Sequence, residues 1–224
     1  MTGVQLYRLS GGALLVGMIL SVVSIVLSGV LFPDSSNVAA ATNPLNITLS
    51  LIGVVGTFVS LVGLPGMAVR GAGERGLVWL IGVVLIALTG MLFGLVLGLM
   101  SVIVFPALAT RAPDVFGQGP PPAFFGLFLV GTIANVLGAI LMAIPVLTKH
   151  LYPRWCGYLL VIEALLGVAG FIVSGPSASP IAQILNVAEP LPLFVVLGWA
   201  GYELWTGRAP ASEAVSRSVV AQSV

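Results

Sequence analysis

The stretch IAQILNVAEPLPLFVVLGWAGYELW, residues 181–205, is apolar over most of its length, yet Asn186, Glu189, Pro190 and Pro192 interrupt its first half. An α-helix needs about 20 apolar residues to cross a hydrocarbon core of about 30 Å. Read as a membrane span, this segment must accommodate a carboxylate, an amide and two prolines inside that core. Five further segments, at about 9–32, 46–69, 77–105, 123–147 and 155–174, are comparably long and apolar. Stretches with turn chemistry separate them: FPDSSN, GAGERG, PDVFGQGPPP, KHLYPR and SGPSASP. The expected fold is an all-α membrane protein, a six-transmembrane-helix bundle over residues 1–205. Residues 206–224 are small and polar and read as a short disordered cytoplasmic tail.

Composition supports this. Of 224 residues, 58% are apolar and 7% charged, against about 25% charged in soluble domains. So few charges cannot coat a water-facing surface, and the lipid bilayer is the expected solvent. A net charge of +1 leaves no clustered basic face for a nucleic acid. Cys156 and His150 are the only cysteine and histidine. An intrachain disulfide is therefore excluded, as is a structural zinc site, which takes about four such ligands. Without a lysine inside any apolar segment, a retinal Schiff base is excluded; one histidine also rules out bis-histidine haem. The motifs HExxH, CxxC and GxSxG and a phosphate-binding glycine loop are missing. The expectation is a protein that is not an enzyme and carries no metal or cofactor.

Six crossings place Arg8, Arg70, Arg75, Lys149, Arg154, Arg208 and Arg217 on one side and Arg111 alone on the other. The positive-inside rule then puts both termini in the cytoplasm of a multi-pass cell-membrane protein. Tyr7, Trp79, Tyr152, Trp155, Tyr202 and Trp205 lie near the same side, as an interfacial aromatic belt would.

Small residues mark helix packing. Gly90, Gly94 and Gly98 recur at steps of four, so a second backbone can approach that face; spacing alone leaves open whether the neighbour lies in the same chain, a homo-oligomer or another membrane protein. Gly17, Ser21, Ser24 and Ser28 form a similar stripe, as do Gly131, Thr132, Asn135 and Gly138. GALLVGMILSVVSIVL from Gly12 and GLFLVGTIANVLGAIL from Gly126 match at Gly12/Gly126, Gly17/Gly131 and five further positions. A duplication of this kind, with three crossings per half, would give two inverted three-helix repeats, a recurrent transporter plan.

The polar residues of the last two segments form the candidate site. Glu163 lies nine residues beyond Arg154, roughly 14 Å into the membrane. A charged carboxylate at that depth costs several kcal/mol, so such groups face a bundle interior or a cavity. Pro190 and Pro192 lack the N–H that the Asn186 and Ala188 carbonyls would bond in a helix, and a residue before proline is disfavoured in helical geometry. A helix break at 186–192 is expected, with Glu189 pushed out of the helical region. Glu163 and Glu189 are candidate proton or cation carriers, and Asn135 and Asn186 candidate supporting ligands.

LYRLSGGALLVG, LVGLPGMAVR, LYPRWCGYLLVIEALLG and LGWAGYELWTGR resemble a class of six-span bacterial integral membrane proteins. In that class a Pro-Arg-Trp-Ala-Gly-like motif opens the fifth span and Gly-Tyr-x-Leu-Trp closes the sixth. Here Pro153-Arg154-Trp155-Cys156-Gly157 carries cysteine in place of alanine, and Gly201-Tyr202-Glu203-Leu204-Trp205 fits the closing motif. The resemblance implies topology and bacterial origin and brings no activity with it. Two functions remain from the residues: a non-catalytic membrane module that acts as partner, scaffold or sensor, which the few buried acids and small loops favour, and a small proton-coupled or cation transporter using Glu163 and Glu189. A cavity reaching both acids would favour transport; a dry, tightly packed bundle would favour the module.

Overall fold

The computed structural model describes residues 3–33, 37–116, 122–173 and 180–207. Most of the expected tail, with Arg208 and Arg217, lies outside them, as does most of SGPSASP. All regular structure among the described residues is helical. Six helices are long and apolar enough to cross a membrane: Gln5–Leu31, Pro44–Arg70, Gly76–Arg111, Phe124–Lys149, Arg154–Val173 and Gln183–Thr206, called the first to sixth spans below. The shortest, with 20 residues, still reaches about 30 Å at 1.5 Å per residue. This is a multi-pass helical membrane fold.

Local chemistry sets the span ends. Asn43 accepts a hydrogen bond at Oδ1 from the Leu45 N–H (2.9 Å), and Pro44 follows as the first helical residue. This is the preferred start of a helix, because Asn satisfies a free N–H and Pro has none to lose. The second and third spans meet at Gly76, whose φ of 69° lies where side chains are disfavoured. The sixth span ends on Gly207 in left-handed geometry, with its N–H bonded to the Leu204 carbonyl. The third span outruns its expected end at 105, reaching Arg111. Its middle turns, Gly90–Leu97 and Met100–Val104, widen to i→i+5 bonding.

The spans close into a ring, and small residues mark its joints. Gly17 of the first span faces Gly56 and Ser60 of the second. The second meets the third where Thr57 covers Gly94. Gly82 and Gly138 join the third to the fourth, Gly157 lies against Val146 and Leu147 of the fourth, and Gly170 faces Glu189 of the sixth. The sixth returns to the first at Gly11 and Gly201, where each backbone abuts the other. The neighbour order follows the chain order. The matched glycines of the suspected repeat differ: Gly17 faces the second span, whereas Gly131 faces Phe93 of the third, and inverted repeats would have put the fifth span there.

Along the bundle axis the interior divides in two. Toward the face carrying Arg70, Lys149 and Arg154 it is packed solid by Leu14, Met67, Trp79, Met142, Val146, Tyr152, Cys156, Leu160, Ala200 and Leu204. Trp79 and Tyr152 are core residues, which corrects their assignment to an interfacial belt: Trp79 is 0% exposed and donates its indole N–H to the Met67 carbonyl (3.3 Å). Trp155 and Trp205 are exposed at that end, as a belt requires. Toward the opposite face, where the short helix Val38–Ala41 touches Phe105–Arg111, the ring is hollow.

The glycine ladder packs inside the chain. A Cβ on Gly94 would collide with the Thr57 side chain, and one on Gly98 would come within 2.6 Å of Val54 Cγ2. Gly126, by contrast, has nothing within 4 Å of its would-be Cβ. Gly94→Leu should therefore destabilise the detergent-solubilised bundle by ~1–3 kcal/mol, the usual cost of overpacking, while Gly126→Leu leaves the thermal melt unchanged. Equal melts for the two variants would place the ladder on a lipid face.

Candidate functional site

The hollow half is a partly enclosed cavity of about 790 Å³ to which all six spans contribute. The lining residues concentrate in the half of each span nearer the Arg111 face and around its middle, with Leu64 of the second span and Ile86 of the third reaching deeper: Met18 to Ser28, Ser50 to Leu64, Ile86 to Ser101, Phe125 to Asn135, Glu163 to Phe171, and Asn186 to Leu197. The wall is mainly hydrocarbon, studded with the hydroxyls of Ser21, Ser24, Ser28, Ser50, Thr57, Ser60, Thr89, Ser101 and Thr132. Among the described residues its only ionisable side chains are Glu163 and Glu189, and no lysine, arginine or histidine lines it.

Asn135 joins the two acids. Its Nδ2 donates to Glu163 Oε1 at 2.9 Å and to Glu189 Oε1 at 3.3 Å, so one amide group bridges carboxyls from the fifth and sixth spans. Glu163 is 1% exposed and Asn135 3%. Gly167 and Gly170 on the fifth span leave the bay that Glu189 fills; a Cβ on Gly167 would sit 3.4 Å from Glu189 Oε1 and 3.7 Å from Asn135 Nδ2. Three polar atoms that border the cavity stay unpartnered though buried: Asn135 Oδ1, Glu163 Oε2 and Ser21 Oγ. The Leu193 backbone N–H lies toward the Glu163 carboxyl without completing a hydrogen bond to Oε2. Buried polar atoms normally find a partner; two of these three belong to the Asn135–Glu163 pair, while Ser21 Oγ lies on the first span against Gly56.

The structure thus brings together three of the four expected site residues. The fourth, Asn186, lines the same cavity but is exposed, and stands apart from the carboxyl cluster. The helix break is real but milder than expected. Hydrogen bonding is interrupted between Pro180–Ala188 and Pro190–Thr206, yet Glu189 keeps helical dihedrals (φ −54°, ψ −55°) and its N–H bonds the Leu185 carbonyl at 2.8 Å. The pre-proline bias therefore yields to the continuous packing of this span along the first. What the prolines contribute is missing N–H donors at 190 and 192, next to the acid.

The sequence reading misses a second polar cluster, in the packed half. Arg70 Nη2 meets Glu203 Oε2 at 3.3 Å, with the two side chains 10% and 13% exposed. Trp199 Nε1 donates to Glu203 Oε1 at 2.9 Å, and the Arg70 guanidinium lies 5.5 Å from the Tyr152 ring centroid. The signal was available: Arg70 ends the second span and Glu203 lies three residues from the end of the sixth, so opposite charges sit at one depth, where charges in a membrane pair. The stripe of Ser21 and Ser24 reads as packing, and both do lie against second-span glycines, Gly56 and Gly53, while also bordering the cavity; Ser24 donates to the Leu49 carbonyl at 2.8 Å. Cys156 is buried, as a packing cysteine should be, and His150 is exposed, with φ of 52°.

No protein-family model, curated protein or solved structure matches the chain. Its geometry alone carries the functional reading.

The division into halves is directly testable, because the single native cysteine is buried. Ser28→Cys and Ser50→Cys, at the cavity wall, should react with a water-soluble maleimide in native membranes. Ala143→Cys and Ala200→Cys, in the packed half, should react only after denaturation in SDS. Equal labelling of the two pairs would refute a water-reached cavity over a sealed half.

Proposed function

We propose that this protein is a small proton-coupled or cation carrier, with Glu163, Glu189 and Asn135 as its loading site. The observation that carries the reading is the cavity that reaches both carboxyls. A cavity, rather than a dry bundle, is the condition that separates transport from a scaffolding role. Two acids share one site without a basic side chain in the cavity wall. Such a site gains by taking up a proton or a cation, since uncompensated negative charge at this depth is costly. Asn135 holds both carboxyls within hydrogen-bond reach of one amide nitrogen, so a charge bound at one is felt at the other. Serine hydroxyls line the wall, but no lysine or histidine base lies with them, which favours binding and passage over catalysis.

A carrier must expose its site to each side in turn. Here the site faces the hollow half, and the packed half closes the other route. The Arg70–Glu203 pair and the Trp79, Tyr152 and Trp199 rings lie in that barrier and would have to separate for release. The basic face, with Arg8, Arg70, Lys149 and Arg154, is the cytoplasmic one under the positive-inside rule. Both termini are then cytoplasmic, the protein sits in the cell membrane, and the cavity opens away from the cytoplasm.

In proteoliposomes bearing a pH gradient, the wild type should conduct protons, or sodium or potassium ions, above empty vesicles. Glu189→Gln should return that flux to the level of empty vesicles while the protein still folds, since glutamine keeps the shape and loses the titration. Equal flux in wild type and Glu189→Gln would remove Glu189 from the mechanism. Absence of flux in the wild type for all three ions would count against inorganic ion transport.

A further inference from the structure

We propose that the cavity takes a protonated organic amine on an apolar, aromatic body. This rests on the carrier reading above and names the substrate class of the same site. A cavity of about 790 Å³ falls in the range of pockets that hold small organic molecules, roughly 300–1,000 Å³, and far exceeds what a bare ion needs.

The floor selects the head group. Asn135 Oδ1 and the carboxyl atom Glu163 Oε2 lack a donor, and Glu189 offers a second carboxyl one hydrogen bond away through Asn135. An ammonium group brings N–H donors and a positive charge, and so answers both needs at once. A quaternary ammonium brings charge without donors, and an alcohol brings one donor without charge.

The wall selects the body. The Phe93 ring lies against Gly131, four residues from Asn135 and thus about 6 Å along the helix axis from the floor. Phe128 lies beside it, with ring centroids 5.5 Å apart and the planes tilted by 42°. Farther toward the Arg111 face Phe125 and Phe171 pair at 6.0 Å. Apolar and aromatic surface therefore begins one turn from the carboxyls and continues outward. A cation near such rings gains additional attraction, and a four-carbon chain spans the interval from floor to ring.

Isothermal titration of the detergent-purified full chain tests this with three probes: 4-phenylbutylamine in its protonated form, 4-phenylbutan-1-ol, and 4-phenylbutyltrimethylammonium. The amine should bind saturably, and the alcohol and quaternary cation each at least about tenfold more weakly, the difference expected when charged hydrogen bonds are lost. Glu163→Gln should weaken the amine by a similar factor and leave the alcohol unchanged. Lack of saturable amine binding, equal binding by the alcohol, equal binding by the quaternary cation, or amine binding indifferent to Glu163→Gln would each overturn the proposal. The wild-type comparison among probes stands even if that variant fails to fold. Amine binding without flux of any probe or ion would sustain the substrate class and remove the carrier reading. Ion flux that Glu189→Gln abolishes, without amine binding, would do the reverse.

Discussion

In hydrocarbon a polar group must find its partner within the protein, and the interior of this bundle follows from how that demand is met at two depths. Near the middle, one amide group of Asn135 supports two carboxyls, Glu163 and Glu189, and leaves acceptor atoms over. Near the basic face, Arg70, Glu203 and Trp199 satisfy one another directly. The second cluster is closed and sits inside a packed core; the first is incomplete and sits at the floor of a cavity. An incomplete network costs stability, and under the proposed carrier function the open space beside it is where a charged ligand would complete it.

Packing explains how the space is maintained. Where the spans touch tightly, glycine or serine lies at the joint: Gly17 on Gly56, Gly11 on Gly201, Gly94 beneath Thr57. These close approaches fix the ring at its perimeter, so the interior is filled only where large side chains point inward. In the packed half Trp79, Met67, Met142 and Leu160 do so. In the other half serine, threonine and glycine take many of the inward positions among the phenylalanines and aliphatic residues, and side chains that small leave space across the ring. The cavity is thus a consequence of residue size at inward positions.

Much of this was legible in the sequence. Span number and position follow from long apolar runs bounded by turn residues, because hydrocarbon thickness fixes length. The intramembrane acids stand out because their charge is expensive there. What stayed hidden depends on contacts between distant segments. Composition cannot show that Asn135 bridges both acids, that Glu203 pairs with Arg70, or that Trp79 turns inward when its position suits an interfacial ring. In the serine stripe of the first span, Ser21 and Ser24 both line the cavity and both lie against second-span glycines, but only Ser24 finds a hydrogen-bond partner, at the Leu49 carbonyl. Periodicity places both on one face and goes no further. At Glu189 a local rule was outweighed, since the sixth span stays helical through a pre-proline residue.

The central claim is that Glu163, Asn135 and Glu189 form one unit reached from water. Infrared difference spectroscopy on the reconstituted protein, recorded on acidification in light and heavy water, tests it most directly. Carboxyl bands should shift on deuterium exchange within the time of mixing, and in Glu189→Gln one band should be lost while the band of the remaining Glu163 is displaced. Carboxyl bands that resist exchange, or a Glu163 band unmoved by Glu189→Gln, would contradict it.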